Sequence, residues 1–193
     1  NNMSPRFLDD VGLRVGIDID RVAGANRCLD VFAQASACRL PLTADSVDIL
    51  LCGYVVEHLA DPLVAFREFH RVLRPGGTAF VWTPNLLNYA ILASAATPTA
   101  FHNWVRHQAF PEDARDNCPT YYRANTPGAL TRSLCTAGLR LEGGLRFGAG
   151  SYQYWRFSRP LFAAAVLGSN LIARSPLRRL MNVLLARCVK PAG

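Results

Sequence analysis

Two hydrophobic periods run along the chain, and the places where one gives way to the other mark its elements. Residues 47–52 (VDILLC) are nearly continuous apolar. Such a run suits a parallel strand covered on both faces. Leu63, Phe66, Phe69 (or His70) and Leu73 then recur at helical spacing, with Arg67, Glu68 and Arg71 on the other side. Asp61-Pro62 is the start signal of that helix, an N-cap acid followed by proline at the first helical position. Arg74-Pro75-Gly76-Gly77 stops it and turns the chain, and residues 78–82 return to a strand pattern. Strand, helix and strand in this order predict a βαβ unit of an α/β domain.

The same grammar extends in both directions. Residues 13–20 read as a strand with an acidic end, and 31–33 as another. Residues 86–96 have the pattern of an amphipathic helix. Thr126-Pro127 repeats the cap-plus-proline signal, Ala129, Leu130, Leu134 and Ala137 supply the apolar face, and Gly138 ends it. A strand over 139–147 is interrupted by Gly143-Gly144. An apolar helix over 160–173 and a last strand over 183–191 complete the chain.

The central stretch, LPLTADSVDILLCGYVVEHLADPLVAFREFHRVLRPGG, resembles the class I S-adenosylmethionine-dependent methyltransferases of the type 11 group. The matching pieces are Leu40-Pro41, Val47-Asp48, Val56-Glu57-His58, Asp61-Pro62 and Arg71-Val72-Leu73-Arg74-Pro75-Gly76-Gly77. The resemblance is strong over 12–84 and loose beyond. It implies a Rossmann-like doubly wound sheet, mostly parallel with an antiparallel last strand. It also implies S-adenosyl-L-methionine as cofactor and methyl transfer to an oxygen, nitrogen or carbon nucleophile. A small molecule, a sugar or a lipid-linked compound suits as acceptor.

The family's first strand ends in a glycine-rich loop of the type DxGxGxG. Nothing in residues 1–10 matches it, and residues 13–20 correspond to the family's second strand. The N-terminal strand, its loop and the first helix are therefore expected to be missing, through truncation or degeneration. Loss of a central strand should expose the strands beside it. A non-catalytic methyltransferase-like binding or assembly module is the alternative reading.

Site residues follow from the resemblance. Asp18, at the end of a parallel strand, would accept hydrogen bonds from the ribose hydroxyls, with Asp20 as the nearby alternative. Ser36 stands where the family often has an acid on the adenine. That contact would then fall to Ser36, to backbone near Ala37 and Cys38, or to Gln34. Cys52, Gly53 and Tyr54 would lie beside the methionine and methyl group. Tyr54 and His58 are the candidate catalytic residues, because an imidazole can orient or deprotonate an acceptor near neutral pH. Residues 86–122, with His102, Trp104, His107, Tyr121 and Tyr122, correspond to a variable lid.

Composition narrows the picture further. The 193 residues fit one domain, with 148–180 as a basic helical insertion. Six cysteines form no CxxC pair, which points to reduced cytoplasmic thiols and to no metal site. No apolar stretch has the length of a membrane span, and the first residues do not read as a signal peptide. No GxGxxG follows a strand, which argues against a nicotinamide-binding domain.

The net charge of +7 is unevenly distributed. Residues 1–60 hold five arginines against eight acidic residues, 61–120 five against five, and 121–193 ten arginines and a lysine against Glu142 alone. The C-terminal third is thus a candidate surface for an anionic partner or for peripheral membrane contact. It holds no recognisable nucleic-acid-binding motif.

Overall fold

A computed structural model of the chain describes residues 11–88, 119–148 and 157–192. Seven strands and three α-helices occur among them, with short 3-10 turns between. The strands are β1 (Val15–Asp18), β2 (Val31–Gln34), β3 (Val47–Gly53), β4 (Leu73–Pro84), β5 (Arg140–Leu141), β6 (Arg146–Gly148) and β7 (Val183–Val189). The helices are α1 (Pro62–Val72), α2 (Pro127–Thr136) and α3 (Arg159–Ala173). The expected helix over 86–96 lies almost wholly outside the described residues, as do most of 86–122 and the first part of the 148–180 insertion.

The strands form two sheets. β1 and β2 pair in parallel, Val15 opposite Val31 and Asp18 opposite Gln34. The second sheet runs β3-β4-β7-β5, with β6 also on β7. β3 and β4 are parallel, whereas β7 is antiparallel to β4, β5 and β6. This is the Rossmann-like α/β arrangement expected, with a reversed last strand. β1 and β3 are each the edge of a different sheet among the described residues.

The βαβ unit forms as its sequence requires. Asp61 accepts from the Leu63 amide at 3.0 Å, and Pro62 opens α1. The buried face of α1 is Ala65, Phe66, Phe69 and Val72, meeting Leu130 and Leu134 of α2. Both helices cover one face of the larger sheet, which contributes Cys52, Ala79, Val81, Leu184, Ala186 and Cys188. Thr126 caps α2 through the Ala129 amide. Gly143 and Gly144, both at φ +70°, separate β5 from β6 where the sequence shows the interruption.

One local expectation is sharpened and another needs correction. Residues 74–77 turn the chain as expected, but they do so as a loop-out within β4. Val47 pairs with Leu73, but Ile49 pairs with Thr78, so β4 bulges outward over Arg74-Pro75-Gly76-Gly77. The bulge is held by Gly76 N donating to Lys190 O at 2.9 Å and Lys190 N to Gly77 O at 3.0 Å. Gly76 sits at φ +79°, and a Cβ on Gly77 would lie 2.8 Å from the Arg74 carbonyl and 2.9 Å from that of Val47.

The correction concerns β3, which is not covered on both faces. Ile49 is 52% exposed and Leu51 40%. They share a face with Phe80 and Trp82, opposite the helices. No described helix lies over that face, and the β1–β2 pair is not hydrogen-bonded to β3. Val15 and Val31 are exposed for the same reason.

Candidate active site

Open α/β sheets hold ligands at the carboxyl ends of their parallel strands. Two ledges of residues occur there. The first joins the ends of β1 and β2. Ala35 N donates to the Asp18 carbonyl at 2.9 Å, which ties the end of β1 to the loop after β2. The Asp18 carboxylate is exposed and accepts from Asp20 N at 2.9 Å. Asp20 itself caps the turn Arg21–Ala25 through the Val22 amide at 3.0 Å. Ser36 Oγ accepts from Cys38 N at 3.2 Å, and Arg39 N donates to the Ser36 carbonyl. Ser36, Ala37 and Cys38 are therefore one tight turn directly after the residue bonded to Asp18.

Gln34 is committed elsewhere. Its Oε1 accepts from Arg21 Nε at 2.7 Å, and its Nε2 donates to the Ile19 carbonyl at 2.9 Å. The Arg14 guanidinium grips Asp30 below this ledge and holds its carboxyl down at about 2.

The second ledge is the end of β3 with the chain that follows. The Cys52 side chain points into the core, and burial, with a smaller contribution from the nearby Glu57 charge, pushes its thiol up to about 12. Cys52 can meet a ligand only through its backbone. At Gly53 a Cβ would lie 2.1 to 2.4 Å from the Trp82 indole, so the glycine is there to let that ring pack across β3. Tyr54 takes the left-handed conformation, φ 56°, with its amide donating to Trp82 O at 3.0 Å and its side chain more than half exposed. A non-glycine residue held there costs of order 1–3 kcal/mol, a strain typical of functional loops.

His58 follows in the turn Val56–His58. Its Nδ1 lies 3.0 Å from the Pro119 carbonyl. A carbonyl can only accept, so Nδ1 is the donor in this contact, and Nε2 makes no hydrogen bond among the described residues.

Near Tyr54 and His58 lies a buried polar chain that joins residues far apart in the sequence. Asn125 Nδ2 donates to Thr83 Oγ1 at 2.6 Å and to the Pro84 carbonyl at 3.1 Å. Thr83 Oγ1 in turn donates to Glu57 Oε2 at 2.9 Å. All three residues are buried, and Asn125 Oδ1 has no partner among the described residues. The Glu57 carbonyl accepts from the amides of Tyr121 and Tyr122 at 2.7 and 3.2 Å, which binds the 119–125 segment over the strand ends. The usable signals were a lone acid inside the apolar VVEHL string and a threonine at a strand end before proline. His102, Trp104 and His107 lie outside the described residues, whereas Tyr121 and Tyr122 adjoin the second ledge.

Comparison with known proteins gives this arrangement a context. Residues 8–81 match the family model described as "Methyltransferase domain". A Mycolicibacterium smegmatis protein named "Probable S-adenosylmethionine-dependent methyltransferase" is 37% identical over 90 residues, which are 44% of this chain and 35% of that protein. The matched regions make up between 19% and 35% of the length of the curated relatives. Among solved structures, an S-adenosylmethionine dependent methyltransferase from Mesorhizobium loti superposes with a TM-score of 0.58 at 16% identity, over 91% of this chain and 79% of that one. The [4+2]-cyclase SpnF superposes with a TM-score of 0.54 at 19% identity, over 97% and 70%.

Proposed function

We propose that this chain, which carries a methyltransferase-domain sequence over residues 8–81 and the class I methyltransferase fold, binds S-adenosylmethionine across its two ledges and, in the whole protein, directs its methyl group to an oxygen, nitrogen or carbon nucleophile. The observation that carries the reading is Asp18. It is an exposed carboxylate at the carboxyl end of a parallel strand, inside the family-matched segment, beside the turn that holds Ser36. A carboxylate offers several acceptor positions to the two adjacent hydroxyls of a ribose.

The donor set suits the nucleoside half of the cofactor. Asp18 would hold the ribose, and Ser36 with the backbone of Ala37 and Cys38 would face the adenine. The backbone at Cys52, Gly53 and Tyr54 would border the methionine half. When bound, the sulfonium supplies an electrophilic methyl, and the protein's task is alignment in a dry pocket. Tyr54 would position the acceptor, and the free Nε2 of His58 would take its proton.

The test is calorimetric titration of the protein with S-adenosylmethionine. Loss of a hydrogen bond to a charged group costs about 1.5–3 kcal/mol, so Asp18→Ala should weaken binding by about 10- to 150-fold. Equal binding by wild type and variant would remove Asp18 from the site. If neither binds, a non-catalytic module is the better reading. The fold alone does not fix the activity, since a protein described as a [4+2]-cyclase shares it.

A further inference from the structure

α3 turns apolar side chains to solvent as well as to the domain. At 100° per residue, Ala165, Val166, Gly168, Ser169 and Ile172 are wholly or partly covered. The opposite side carries Pro160, Ala164, Leu167 and Leu171 and ends at Arg174, all exposed. Leu167 is 62% exposed, Leu171 63%, and Leu177 in the next turn 58%. The residue of α3 that is fully buried is a serine, Ser169. A surface helix ordinarily turns its apolar stripe to the core. An outward row of leucines marks a surface that something else covers.

The end of that row is strongly cationic. Arg174, Ser175, Pro176, Arg178 and Arg179 line a cleft of about 540 Å³. None of the three arginines makes an ion pair among the described residues, and the only carboxylate after residue 121 is Glu142, which pairs with Arg140 and Arg187. The cleft has a fixed frame. Asn85 Nδ2 donates to the Arg179 carbonyl at 2.9 Å and the Met181 carbonyl at 2.8 Å. Ser175 Oγ caps the turn through Leu177 N at 3.1 Å.

Guanidinium groups without counter-charges recognise phosphate oxygens, often in bidentate fashion. Beside them Leu171 and Leu177 suit acyl chains and offer nucleic-acid bases no ring to stack on, and the exposed Phe157 and Phe162 lie at the far end of α3 from the arginines. No helix among the described residues is long and apolar enough to cross a membrane, so contact would be lateral. We propose that α3 and the turn Pro176–Leu180 form a docking face for an anionic phospholipid surface, with headgroup phosphates in the Arg174–Arg178–Arg179 cleft and Leu167, Leu171 and Leu177 at the acyl boundary. The proposal is independent of methyl transfer.

The experiment is co-sedimentation of the full chain with vesicles of phosphatidylcholine alone and of phosphatidylcholine mixed with phosphatidylglycerol. Binding is expected only to the mixed vesicles. Each surface arginine contributes about fivefold in partitioning, so the triple variant Arg174→Gln, Arg178→Gln, Arg179→Gln should bind about 100-fold more weakly. Leu167→Ser with Leu171→Ser should lose more than about tenfold. The control pair Arg132→Gln and Arg146→Gln lies outside the cleft and should change binding by less than the triple variant. Circular dichroism checks each fold. Should the multiple variants unfold, the single Leu167→Trp variant decides, since its fluorescence should shift blue on anionic vesicles alone.

Equal binding to both vesicle types, or to neither, overturns the proposal. So does an unaffected leucine variant, or a control pair as damaging as the cleft variant. Displacement of the chain from vesicles by inorganic phosphate would reassign the cleft to a free anion, and displacement by single-stranded RNA would reassign it to nucleic acid.

Discussion

Thr83→Val tests the buried polar chain under the candidate site. The substitution keeps the shape of the side chain and removes the hydroxyl that joins Asn125 to Glu57. Asn125 Nδ2 retains its bond to the Pro84 carbonyl at 3.1 Å, so the amide is only partly stranded. Glu57 loses the bond from Thr83 at 2.9 Å and remains a buried carboxylate. A hydrogen bond to a charged group is worth about 1.5–3 kcal/mol, and the same range covers leaving the carboxylate unsatisfied. Thr83→Ser keeps the hydroxyl and deletes one methyl, at a cost of about 1 kcal/mol. The expected order of destabilisation is therefore Val above Ser. Urea unfolding followed by circular dichroism measures both, and the melting temperature of the Val variant should fall by about 3–12 °C. A Glu57→Gln, Thr83→Val double-mutant cycle should show coupling above about 0.5 kcal/mol. The reasoning is refuted if Thr83→Val is as stable as wild type, or more stable than Thr83→Ser.

Other outcomes follow from single observations. Gly77→Ala should destabilise by about 1–3 kcal/mol or more, since its Cβ would meet two backbone carbonyls that cannot move aside, whereas Gly76→Ala, with open space but φ +79°, should cost about 1–2 kcal/mol in the same urea assay. Gly53→Ala should cost about 1–3 kcal/mol by driving a methyl into the Trp82 indole, and trimming that ring with Trp82→Leu should remove most of the penalty. Asp30 is held down at about 2 in the folded chain against 3.8 for the free side chain, so its contribution to stability is present above pH 4 and is lost as pH falls through about 2. A carbon-detected NMR titration should find that midpoint, and Arg14→Gln should return it towards 3.8. Cys52 and Cys188, whose thiols burial pushes up to about 12, should resist iodoacetamide in the native chain while exposed Cys28 and Cys135 react.

What could be read from the sequence is what short-range chemistry controls. Asp61-Pro62 and Thr126-Pro127 open their helices because an N-cap oxygen and a fixed φ act within three residues. Gly143-Gly144 breaks the strand over 139–147 because only glycine takes φ +70° twice without cost. Asp18 stands at a strand end for the same local reason: an acid closes an apolar run. The α/β class was legible from these elements in order, whereas the reversed last strand was implied by the resemblance to the methyltransferases.

Partners distant in sequence were not legible. Glu57, Thr83 and Asn125 meet across 68 residues, and no local pattern announces a bond that exists only after β3, β4 and α2 have packed. Gly53 looks like a place for a ligand to approach, yet Trp82 on the neighbouring strand is what demands it. The apolar run of β3 suggested two covered faces, but exposure depends on which elements arrive, and here one face of Ile49 and Leu51 is left open. The 160–173 helix was visible as apolar. That its leucines face outward beside three arginines depends on its rotation against the domain, a property of packing that periodicity alone cannot carry.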